Sequence, residues 1–272
     1  MEPRKTKSEL RKARVLRPVN PNAGIAAEYQ RRVLRLLNEM HASVLYWVRA
    51  ANNQNPSLLA QDETPAAFLR RTMKKLQDRW FGRFDDLSEN LGKWFAQSVD
   101  RRSTDALKKI LRDGGFTVEF KVSPFVRDVV TATRGESVGL IKSIPQRYLQ
   151  AVEGAVMRAV MRGGDLGPLA KELQHTYGVT KKRAALIARD QNNKATAAIT
   201  RARQIEAGIK EAQWMHSSAG KVPRPSHLKA GRDKVRYDVK KGWFDPDEGR
   251  NIYPGELINC RCRAKPIIPG FE

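Results

Sequence analysis

The sequence predicts a mainly α protein: a multi-helix body followed by a small, loop-rich α+β C-terminal module. Three observations lead there. Apolar residues recur at spacings of three and four along most of residues 25–207. Six prolines fall within residues 209–272, where that period is lost. Both cysteines of the chain lie in the same last stretch, as Asn259-Cys260-Arg261-Cys262.

Size and charge set the outer bounds. A chain of 272 residues with 40% hydrophobic side chains can build two cores, one large and one small. No apolar run approaches the roughly 18 residues of a spanning helix, and the basic start of the chain lacks the apolar stretch of a secretory signal. No membrane partner is therefore expected. Two cysteines do not make a disulfide framework. The formal charge of +22, from 51 Lys plus Arg against 29 Asp plus Glu, favours a polyanionic partner, a basic protein with no nucleic-acid role being the plainer alternative. The excess is spread along the chain, which suits salt-sensitive contact with phosphates better than a surface that reads bases.

Taken in order, residues 1–20 read as a basic flexible arm, with seven Lys and Arg, two Glu and few large apolar side chains. Arg4, Lys5, Lys7, Arg11, Lys12, Arg14 and Arg17 are its candidate DNA contacts. Residues 21–115 form an N-terminal helical region. Its first helix carries Tyr29, Val33, Leu36, Leu37, Met40, Val44 and Trp47 on one stripe. Thr64-Pro65 opens a second, with Phe68, Leu69, Met73, Leu76, Trp80, Phe84, Leu87, Leu91 and Trp94 facing one way. A third, Thr104 to Leu111, stops at Gly114-Gly115. Residues 116–208 form a central helical region, with Ile144, Tyr148, Val152, Val156 and Val160 in step. A short helix capped by Asp165 runs through Leu173, Tyr177-Gly178-Val179 makes a turn, and Thr180 caps a long helix closed by Gly208. Residues 209–272 form the α+β module, with extended runs at 212–216, 235–239 and 263–267. So small a module has little core of its own and needs the preceding helix or another clamp.

Three kinds of chemistry are open. Leu166–Leu173, the turn at Gly178 and Thr180–Ala188, with Lys181, Lys182 and Arg183 at its start, could be a DNA-reading helix-turn-helix; antiparallel packing is the plainer alternative. Cys260 and Cys262 are too close in sequence for an easy mutual disulfide, and with His227 and His216 they could hold a structural zinc ion, the one cofactor candidate. Against zinc, C-x-C is not the common C-x₂₋₄-C knuckle, and buried cysteines also serve as small hydrophobes. A Cys–His nucleophile is conceivable, and Asp245, Asp247 and Glu248 could serve a metal-dependent nuclease, although Asp-Pro-Asp-Glu-Gly reads as an exposed turn. There is no phosphate-binding G-x-x-x-x-G-K-[ST] and no G-x-S-x-G. No catalytic residue is assigned, and the protein is expected not to be an enzyme.

The C-terminal half resembles the phage head-morphogenesis family, the Mu F-type minor capsid proteins. The resemblance rests on an ordered set: Ala188-Arg189-Asp190-Gln191, Gly208, Trp214, Pro225-Ser226-His227, Gly231, Pro254 and Asn259-Cys260-Arg261-Cys262. It covers about residues 140–268, and its motif positions are Arg189, Gln191, Trp214, His227, Asn259, Cys260 and Cys262. It implies a virion protein present in few copies in the head interior near the portal, made in the host cytoplasm. Its partners would be the portal protein or inner capsid surface and double-stranded phage DNA, bound non-specifically during packaging or delivery. The family pattern has an acidic residue between its Trp and His; here Ala219-Gly220-Lys221-Val222-Pro223-Arg224 intervenes, so no Asp–His pair is expected. Some relatives carry a further toxin domain; with the sequence ending at Glu272, none is expected here.

Overall fold

The computed structural model of the chain describes residues 13–52, 65–121, 123–162, 167–218 and 222–269. Among these, four long helices, α1 (Ala23–Asn52), α2 (Pro65–Asp113), α3 (Pro124–Met161) and α4 (Gly167–Glu206), precede the short α5 (Pro225–Arg232). Strands β1 (Arg14–Val15), β2 (Glu211–Met215), β3 (Arg236–Asp238), β4 (Trp243–Asp245), β5 (Arg250–Ile252) and β6 (Arg263–Ile268) complete the chain. A four-stranded antiparallel sheet runs β1-β6-β2-β3, and β4 pairs with β5 in a hairpin.

The mainly α body with a small α+β C-terminal part is as the sequence predicts. The helices are fewer and longer, because two expected breaks are absent. Thr104 to Leu111 is the end of α2, which does stop at Gly114-Gly115, with Gly115 at φ +94° and Phe116 N–H bonded to Leu111 O at 2.9 Å. Tyr177, Gly178 and Val179 are helical residues within α4, and Thr180 Oγ1 donates back to Thr176 O at 2.8 Å instead of capping a new helix. An interior glycine costs a helix only about 1 kcal/mol. Here Tyr177 stacks on His41 at 4.1 Å and donates its hydroxyl to Asn38, which outweighs that cost. The helix-turn-helix reading falls with the turn. Pro65 does open α2, and Gly208 closes α4 at φ +73°. Thr64 and Asp165 lie outside the described residues.

Residues 14–19, expected in the basic arm, are built into the fold. Arg14 pairs with Ile268 and Val15 with Ile267, Leu16 N–H donates to Pro266 O, and Val19 is buried. Arg14 donates to Gly114 O at 3.1 Å and Arg17 pairs with Asp113, so both guanidinium groups already serve the fold. Sequence composition misses this because a two-residue edge strand needs backbone partners and almost no apolar pattern. Arg4, Lys5, Lys7, Arg11 and Lys12 lie outside the described residues.

Two compact units divide the chain, and neither follows the boundaries at 115 and 208. One takes the described residues within Met1–Ile25, Ala96–Thr133 and Asp190–Glu272; the other takes Ala26–Phe95 and Arg134–Arg189. In the first, Leu107, Ile110 and Leu111 of α2 share a core with Val19, Ile209, Trp214, Tyr237, Ile252 and Ile268. Here too the buried Arg203 donates to Thr104 Oγ1, Lys121 O, Glu206 and Asp100 at 2.8–3.2 Å.

In the second unit the expected stripes form the core, with small shifts. Tyr29, Val33, Leu37, Met40 and Val44 are buried, joined by Val48 in place of the half-buried Trp47. Phe95 takes the buried place expected of Trp94, whose ring instead lies under Arg32. Tyr29 packs edge-on to Phe95 at 5.2 Å, and His41 Nδ1 accepts the Tyr148 hydroxyl at 2.6 Å.

Two expected outcomes follow from these polar groups. Arg203→Met leaves its partners unpaired and lowers unfolding free energy by about 3 kcal/mol in a denaturant titration, the low end for breaking a buried pair because the carboxylates keep some solvent. Burial lowers the His41 pKa. The unfolded chain then takes up the proton more readily, so this contribution to stability is present above about pH 6.5, the ordinary His value, and is lost as pH falls. Thermal unfolding between pH 7 and 5 should show that slope, and His41→Phe should flatten it.

Candidate functional site

The helix α5 carries the central residue. Pro225 occupies its first turn, where a missing N–H costs nothing, and Asp247 Oδ2 accepts the Ser226 N–H at 3.2 Å. That places His227 two residues into the helix with its ring turned inward, 2% exposed. Trp214, at the middle of the sheet on β2, packs edge-on to the His227 ring at 5.0 Å and is flanked by Trp243 at 5.1 Å. Close approach of the helix to β2 requires Gly231, because a Cβ there would lie 2.4 Å from His216 Cβ and 2.9 Å from its backbone nitrogen.

Both imidazole nitrogens have partners. His227 Nε2 lies 3.2 Å from Asp245 Oδ2, and Nδ1 lies 3.5 Å from Cys260 Sγ and 3.7 Å from Cys262 Sγ. With Nε2–H donated to the carboxylate, the Nδ1 lone pair faces the two sulfurs. Asp245 is fully buried, and its second oxygen accepts the Asp247 N–H at 3.0 Å. The two sulfurs do not ionise alike: hydrogen bonding from the Cys262 thiol holds the Cys260 pKa down, while that interaction and burial push Cys262 up.

The Asn259-Cys260-Arg261-Cys262 loop is held from α4. Asp190 Oδ1 accepts the Asn259 N–H at 2.6 Å while Lys194 pairs with the other oxygen at 3.3 Å. Asn259 takes a left-handed φ of +61°, which an Asn tolerates and which aims Cys260 inward.

Several expectations change here. An Asp–His pair exists after all, built with Asp245 from beyond the histidine rather than with a residue before it. Asp-Pro-Asp-Glu-Gly is not simply an exposed turn, since Asp245 is buried on β4, Asp247 serves the start of α5, and Glu248 faces Arg224 at 4.0 Å. Those commitments leave no free carboxylate cluster for a nuclease. His216 stands apart from the cysteines, its Nδ1 accepting the Ser218 N–H at 3.1 Å. Of the motif positions, Trp214, His227, Cys260 and Cys262 converge, Asn259 contributes its backbone, Gln191 is buried in α4 and Arg189 is exposed. Sequence reasoning misses the roles of Asp190 and Asp245; the one signal for Asp190 is an acidic residue on the apolar side of α4. The cavity bordered by Cys262, Thr200, Arg201 and Tyr253 measures about 30 Å³, room for about one water.

Residues 150–265 match the family described as phage Mu protein F like protein. The matched region is a little under half of the chain. It contains Asp190, Trp214, His227, Asp245 and both cysteines, so the buried cluster and the loop that builds it lie wholly inside it. The full chain is also similar to an uncharacterized protein of Haemophilus influenzae, 29% identical over 271 residues, which cover 98% of this chain and 58% of that one. The chain thus spans little more than half the length of that relative. No solved structure matches. Among the described residues, no helix is long and apolar enough to cross a membrane.

Gly231→Ala should lower the stability of the protein by about 1–3 kcal/mol, the cost of forcing a methyl into filled space, read as a lower thermal midpoint.

Proposed function

We propose that the protein is a minor head protein of a tailed phage, docked at the portal or inner capsid surface, that contacts packaged double-stranded DNA without reading its sequence. The observation that carries this reading is the Mu F-like match over residues 150–265, the part of the chain that holds its buried polar cluster. Charge supports the DNA part. A net +22 favours residence beside a concentrated polyanion, and a diffuse excess provides phosphate contacts without base specificity. The site supports a structural role over a catalytic one, because its reactive groups are enclosed and the adjoining cavity holds no more than a water. With α4 unbroken at Gly178, a sequence-specific regulator has no recognition helix to offer at that place.

Two measurements test it. The protein should co-sediment with DNA-filled heads and be absent from isolated tails; recovery only in fractions free of particles would refute the placement. Purified protein should bind unrelated duplexes equally, with log affinity falling linearly in log salt. Neutralising Arg4, Lys5, Lys7, Arg11 and Lys12 together should reduce that slope by about 4.5, at roughly 0.9 for each phosphate no longer neutralised. An unchanged slope would remove the arm from the DNA contact.

A further inference from the structure

We infer that His227, Cys260 and Cys262 bind one thiophilic divalent metal ion, zinc by ligand type, and that this ion staples the C-terminal module together. The inference rests on local chemistry and stands apart from any role in a phage head.

Donor spacing is the first argument. In a tetrahedral zinc site, bonds of about 2.3 Å to sulfur and about 2.0 Å to nitrogen put neighbouring nitrogen and sulfur donors about 3.6 Å apart. The distances from His227 Nδ1 to the two sulfurs are 3.5 and 3.7 Å, and all three donor atoms lie within 4.8 Å of one another. A C-x-C spacing reaches this arrangement here, since both sulfurs lie against the same imidazole nitrogen.

The surroundings are those of a metal ligand set. Histidine ligands commonly donate their second ring N–H to a carboxylate, which fixes tautomer and orientation, and His227 does so to the fully buried Asp245. Trp214 Nε1 is buried without an oxygen or nitrogen acceptor, and the Cys262 sulfur is the group it is placed to serve. Ionising both thiols beside a carboxylate in one dry volume is costly, and a dication between the sulfurs would offset that cost. A hydrogen-bonded Cys–His nucleophile would share part of this geometry, but the donors are 2–5% exposed and a cavity of about 30 Å³ admits no substrate.

The position explains what the ion would do. His227 comes from α5, the cysteines from the segment entering β6, and Asp245 from β4, so one ion ties three segments that are otherwise joined by turns. Small loop-rich modules are where a structural metal contributes most to folding. The described residues supply three ligands, and a water is the smallest group that completes four.

The test uses the full chain, expressed with zinc in the medium and purified under reducing conditions without chelator. Elemental analysis should give about one zinc per chain, retained in His216→Ala and reduced below a tenth of an equivalent in Cys260→Ser, Cys262→Ser and His227→Ala. Should those variants fail to fold, wild-type protein stripped of metal and titrated with cobalt(II) decides the matter. A thiolate-to-cobalt charge-transfer band that saturates at one equivalent and is displaced by zinc supports the site. Asp245→Asn should weaken cobalt affinity about 10–100-fold, the usual effect of losing such a partner. Wild-type protein with less than half an equivalent of zinc and no charge-transfer band would overturn the inference. So would a full equivalent of metal that survives Cys262→Ser.

Discussion

The C-terminal sheet depends on apolar surface that it does not itself contain. Its strands are three to six residues long apart from the two-residue β1, and the face they present is covered by Leu107, Ile110 and Leu111 from the far end of α2. Trp214 is buried in the same cluster, with the rings of His227, Tyr237 and Trp243 packed around it. An indole fully buried in this way contributes several kcal/mol through area alone, more than any single hydrogen bond nearby. The small module is therefore inseparable from a helix that begins more than a hundred residues earlier, and Arg203 fastens the same junction with four hydrogen-bonding partners.

Polar groups add position where the apolar core adds cohesion. Asp190 holds the Asn259 amide, Asp247 holds the start of α5, and Asp245 holds His227. Each is a short carboxylate that takes a backbone or ring N–H, and together they bring two cysteines and an imidazole to a common point. Such over-determination is what a buried polar site needs, since a half-satisfied network is worse than an apolar one.

Much of the fold is legible in the sequence because it follows one rule, the helical recurrence of apolar side chains. Tyr29 through Val44 and most of the stripe from Phe68 to Leu91 are buried as that rule requires, with Leu87 half-buried. It fails at Gly178, where a turn-forming residue is retained inside a helix by the packing of Tyr177 on His41, and no local pattern encodes a partner 136 positions away. The cysteine pair and His227 are visible as residue types that bind metals together. Their second sphere is not. Asp245 lies in a string of turn formers whose composition announces exposure, and its burial is decided by α5 and β5 around it. Asp190 stands inside a recognisable motif yet gives no sign of its own role, because a helical acidic residue is ordinarily solvent-facing.

The pairing of β1 with β6 brings Arg14 beside Ile268, across nearly the whole described chain. Contacts of such long sequence separation close late, after the entropy of the intervening loop has been spent. On a ribosome the helices can form as they emerge, while β2 waits for β6 with one edge unpaired. A chain halted short of Ile268 would present that edge to its neighbours, and an open strand is a template for aggregation.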